Sequence, residues 1–194
     1  MISEADQGFI LSVKEWTTPI YYSTENDRKY DVKLTALWAP ENTLNKVNIP
    51  DHAEPDPSID GHMVIINKSN GCVYDFWEAK KTNNGWKAAW TNALPVKSND
   101  IFETGLSARG SGFELTQGLN WPEELENGEI NHVFIFSFNH SKSGGPVWPA
   151  TESEGTSKDK KAIPEGALVP LDPKLDLSTM NLKPFEIAIA KALQ

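Results

Sequence analysis

The sequence predicts a mainly β protein, an antiparallel β-sandwich of jelly-roll or concanavalin-like type with one or two short helices. Three observations carry that expectation. Residues His62 to Trp90 alternate apolar and aromatic runs with Asn-Gly turns, the strongest short-range sign of antiparallel hairpins. About ten short extended segments separated by turn clusters are spread along the chain. Thirteen prolines and thirteen glycines punctuate it too often for long helices.

At 194 residues the chain is expected to form one domain, 1–194, large enough for a core without disulfide or metal staples. Its net charge of −9 leaves little material for a basic face, which argues against nucleic acid and anionic membranes as partners. Cys72 is the single cysteine, so an internal disulfide and a cysteine-based zinc site are excluded, and it reads as a small buried hydrophobe. The first residues carry no basic stretch followed by an apolar one, so no signal peptide is visible. No run approaches the ~18 consecutive apolar residues of a membrane span.

Taken in order, Phe9–Val13 reads as a first strand and Ile20-Tyr21-Tyr22 follows it. The alternation in Tyr30–Leu34 predicts a half-buried strand. Val47–Pro50 leads into an acidic segment, Asp51–His62, where prolines 50, 55 and 57 keep the backbone out of a helix or central strand. The centre is a three-strand meander: Met63–Ile66, Cys72–Glu78 and Trp86–Trp90, turning at 67–71 and 83–85. Residues 94–102 read as loop, and Ser107–Gly112 as a glycine-rich loop without a phosphate-cradling pattern. Trp121–Gly128 predicts a short helical turn, with Pro122 at its first position, carboxylates in its first turn and Asn-Gly at its end. Glu129–Phe138 predicts a strand buried on both faces, and 147–150 and 167–171 read as extended. A terminal helix at about 183–194 starts at Pro184 and lacks a stop signal, as in a chain cut short.

Several residues have the chemistry of a site. Asp51, His52, Glu54, Asp56, Asp60 and His62 crowd into one loop, either as a solvated turn, a cation site or a source of a proton-transfer group. No organic cofactor is implied. Oxygen ligands such as Asp51, Asp56 and Asp60 would suit Ca²⁺ or another divalent cation. His62 and His132 each open an apolar strand and titrate near neutrality, as general acids or bases must; hydrogen-bonded structural histidines are the plainer alternative. In a regular strand Asp75 and Trp77 share one face, where an indole stacks on a sugar ring and a carboxylate binds its hydroxyls. Trp148 is a second candidate platform, and Arg109 a candidate partner for an acidic sugar. Ser111 lacks the G-x-S-x-G elbow of a serine hydrolase.

An ordered set of phrases resembles a family of uncharacterised bacterial proteins, many of them secreted. The phrases are Asp60-Gly61-His62-Met63, Tyr74-Asp75-Phe76-Trp77-Glu78, Gly110-Ser111-Gly112, Glu124–His132, Trp148-Pro149-Ala150-Thr151 and Pro164-Glu165-Gly166. The resemblance covers about residues 45 to 194 and implies a β-sandwich in an extracellular or periplasmic setting, without a reaction. The chain departs from the pattern at Val133-Phe134 and by ending at the helix, where family members continue into further strands.

Together these readings predict a carbohydrate-active protein, a glycoside hydrolase or polysaccharide lyase. Asp60, His62, Asp75 and His132 would move protons, and Trp77, Arg109 and Trp148 would bind the glycan. The alternatives are a non-catalytic glycan- or partner-binding module, or a structural component of an assembly.

Overall fold

The computed structural model describes residues 12–97, 101–102 and 107–194. The chain folds into two compact units, residues 1–98 and 99–194. Its regular structure is mainly β, in two four-stranded sheets that both belong to the first unit.

The strands are β1 (Ile20–Ser23), β2 (Lys29–Leu34), β3 (Thr43–Asn48), β4 (Met63–Asn67), β5 (Cys72–Trp77), β6 (Lys80–Thr82), β7 (Gly85–Ala88) and β8 (Trp90–Pro95). One sheet has the order β1-β4-β5-β8 and the other β3-β2-β7-β6. Both hairpin turns form where asparagine and glycine predict them. Asn67 Oδ1 accepts from the backbone N–H groups of Ser69 and Asn70, closing the β4–β5 turn at 2.9 and 3.1 Å. Asn83-Asn84 forms the two-residue loop between β6 and β7, whose register pairs Thr82 with Gly85. The sheets are not antiparallel throughout, because β1 pairs with β4 and β2 with β7 in parallel.

The predicted third strand of the meander is in fact two. Trp86 lies in β7 and Trp90 opens β8, so the chain changes sheet at Ala89. Ala89 N–H donates to Trp77 O at 2.9 Å while its carbonyl accepts from Ala36 N–H at 3.0 Å. The apolar run from Trp86 to Trp90 is divided between the layers: Trp86 and Ala88 serve the core, and Trp90 pairs with Trp77. In consequence β8 runs on past Trp90 and takes in Leu94 and Pro95, which were expected to be loop.

Between the sheets lies one core. Met63, Ile65, Tyr74 and Phe76 enter it from the first sheet, and Val32, Val47, Trp86 and Ala88 from the second. Ile49, Ala53 and Ala79 complete it, so the acidic loop is anchored by its apolar members. Each fully buried aliphatic or aromatic side chain contributes about 1.5–3 kcal/mol. The alternation read in β2 holds, with Val32 and Leu34 buried between exposed Asp31 and Lys33.

In the second unit α1 (Pro122–Asn127) and α2 (Pro184–Ala192) form where proline at the first helical turn predicts them, and Leu177–Thr179 makes a 3-10 turn. Gly128 at φ +71° caps α1. The strands expected at 129–138 and 167–171 are not found, and 147–150, read as extended, is in no strand. β propensity measures packing on cross-strand neighbours, and these runs join no ladder of the two sheets. Of the expected first strand, residues 9–11 lie outside the described residues, and Ser12 and Val13 are not in a strand. No described helix is long and apolar enough to cross a membrane.

Candidate functional site

The acidic loop is organised by Asp56, whose side chain is buried. One oxygen accepts from Thr17 N–H at 2.9 Å and Thr17 Oγ1 at 2.7 Å; the other accepts from Trp16 N–H at 3.2 Å and Ser58 N–H at 2.9 Å. Ser58 Oγ donates to it as well. Burial alone would raise this carboxyl, but the donors from Ser58 and Thr17 outweigh it and hold its pKa at about 2. Its oxygens are therefore committed to the chain's own donors. Among the described residues no three His, Cys, Asp or Glu side chains gather as metal ligands would.

Asp60 and His62 flank a tight corner. Asp60 O accepts from Glu78 N–H at 2.7 Å and Gly61 O from Ala79 N–H at 3.1 Å, which ties the loop to the end of β5. Glu78 takes φ +51° there, so β5 ends at Trp77 and its regular alternation stops. Both Asp60 and His62 are partly exposed.

Strand register places the aromatic residues. Asp75 pairs with Asn92 and Trp77 with Trp90 across β5 and β8, so these four side chains share the face of the sheet that points away from the core. Asp75 is fully buried, Trp90 is nearly so, and Trp77 is half-buried. Trp38, on the loop after β2, packs on Trp90 with ring centroids 5.1 Å apart and remains 51% exposed. The signal was present as Trp38-Ala39-Pro40, an aromatic beside a turn, but its partner is 52 residues away. The same loop borders an open depression of about 680 Å³ lined by Leu37, Pro40, Asn42 and Asn45. None of the seven site residues expected from sequence lines it.

Three of the four expected proton-transfer residues thus belong to the first unit and His132 to the second. His132 Nε2 is 3.0 Å from Glu124 Oε2, and Nδ1 is 3.0 Å from the carbonyl of Val133. Burial pulls the imidazole down, but the Val133 carbonyl and Glu124 outweigh it and raise its pKa above 6.5. With an acceptor at each nitrogen, the ring has no lone pair directed at a substrate. Arg109 is similarly spent: Nη1 donates to the carbonyls of Glu114 and Gln117 at 3.3 Å each, and Nη2 to that of Leu115 at 3.2 Å. It shapes the 114–117 loop. Trp148 is 71% exposed on a segment pinned by Val147 N–H to Glu165 O at 2.9 Å and Thr151 N–H to Ser111 O at 3.0 Å.

Comparison with protein-family models, curated proteins and solved structures returns no match to this chain.

Proposed function

We propose that the chain is a non-catalytic module that binds a glycan through the tryptophan shelf of its first unit. The observation that carries this reading is the stacking of half-exposed Trp38 on Trp90, beside Trp77 on the same sheet face. Indole faces held in fixed orientation bind the apolar side of a pyranose with little loss of side-chain entropy. Trp148 offers a second platform on the other unit. Turnover is disfavoured by the state of the acid–base candidates: Asp75 is sealed in the sheet, and both nitrogens of His132 face acceptors. The net charge of −9 favours neutral glycans over acidic ones. Such a ligand and the bacterial resemblance both fit an extracellular or periplasmic setting.

A panel of neutral and acidic polysaccharides, followed by calorimetry and by assay for reducing ends or unsaturated products, tests the reading. The expected result is binding to neutral glycans without products, weakened about tenfold or more by Trp38→Ala or Trp77→Ala. Turnover abolished by Asp75→Asn or His132→Gln in a folded protein would restore the hydrolase or lyase. Absence of binding across the panel would leave the shelf as packing alone.

A further inference from the structure

We infer that His132, Glu124 and the carbonyl of Val133 form a proton-operated clasp that fastens the 129–135 segment to helix α1. The geometry has two acceptors and one ring. Glu124 Oε2 and Val133 O each lie 3.0 Å from a different imidazole nitrogen. A neutral imidazole has one N–H and one lone pair, so it satisfies one acceptor and repels the other. Only the imidazolium donates to both.

The carboxylate in the clasp also shapes the helix. Glu124 Oε2 accepts from the backbone N–H of Trp121 at 3.2 Å, so the oxygen that holds the ring also closes the first turn of α1. On the other side, Ile135 N–H donates to Gly118 O at 3.4 Å, and the ring of Phe134 stands edge-on to His132 at 5.7 Å. Glu129 N–H donates to Glu124 O at 3.1 Å and Ile130 is buried, so between these anchors and Ile135 the histidine is the side chain that ties the stretch to α1, and that stretch carries Val133, 60% exposed. Glu123 and Glu126 on α1 and Glu129 after it add negative charge nearby; α2, packed on α1, carries Lys183, Glu186 and Lys191. Glu124 is the charged group that acts on the ring.

The sign follows from the shift. The histidine is held above its ordinary 6.5, so the clasp is tightest below that value and weakens as pH rises through the folded-state pKa, when the ring loses one of its two N–H donors and its charge. Weakening the clasp loosens residues 131–134, between the buried Ile130 and the Ile135 backbone bond, while the rest of the molecule stays folded, a local event of low cost. Conditions above the folded-state pKa therefore loosen a stretch that more acid conditions hold against α1.

Proton NMR of the full chain from about pH 5 to about pH 9 reads the His132 ring directly. Hydrogen exchange over the same range, corrected for base catalysis, reads the 131–135 amides. We expect a midpoint above that of the Glu124→Gln variant, and amide protection that falls about tenfold through that midpoint. In Glu124→Gln the fall should be absent because the clasp is already open. A wild-type midpoint at or below 6.5, or protection that does not follow the ring's titration, overturns the inference; both can be read on the wild type if the variant fails to fold.

Discussion

Asp56 is one residue among six acidic or imidazole groups in its loop, yet it alone is buried among five donors. Its carboxyl falls from 3.8 to about 2 on folding, so its contribution is fully present above the unfolded value and is lost as pH falls toward 2. That contribution is roughly 2 kcal/mol, and acid denaturation of Asp56→Asn should lose this component of its pH dependence while its stability at neutral pH falls. Urea unfolding at several pH values measures both. Arg109 permits a sharper test of role. Its planar fork reaches three carbonyls at once, which a lysine cannot match, so Arg109→Lys should cost about 1–3 kcal/mol even with charge conserved. If Arg109 instead held an acidic ligand, the same change would weaken binding and leave the melting temperature in place. Neither role is legible in sequence. Both depend on which backbone groups face the side chain, and turns between residues distant in sequence decide that.

At the scale of elements, sequence was most readable where a local rule suffices. The Asn67–Gly71 and Asn83-Asn84-Gly85 turns, Pro122 and Pro184 at helix starts, and the alternation of β2 all depend on residues within a few positions. It was least readable where a partner decides. The apolar run at 129–138 has every local attribute of a strand but joins neither sheet, and 86–90 divides its loyalty between both. The candidate site repeats the lesson: Asp75 and Trp77 share a face as predicted, while Trp38 completes the shelf from a loop that sequence could not place. The Gly61 corner gives a prediction at this scale. Gly61 has φ +46°, and an added Cβ would meet the backbone N and O of Ala79 at 3.3 Å. Gly61→Ala should destabilise by about 1–3 kcal/mol, seen as a lower midpoint in denaturant with an unchanged slope.

For the whole molecule, one core fastens both sheets and Phe76 is its largest fully buried side chain. Phe76→Ala should remove about 3–5 kcal/mol, a large share of what domains of this size possess. Loss of the far-UV β signal at lower temperature would register it. Overall charge makes a separate prediction for the binding reading. An acidic protein that holds a neutral glycan by stacking should keep its affinity within about twofold between low and high salt, because no ion pair is screened. A steep salt dependence measured by calorimetry would point instead to a cationic partner.

Ala89 is the single residue between β7 in one layer and β8 in the other, and both its amide and its carbonyl are bonded to neighbouring chain. Two stacked layers held by side chains alone can glide past one another when pulled. Here such gliding would have to stretch a covalent seam one residue long, so mechanical load applied across the layers reaches the backbone before it reaches the core.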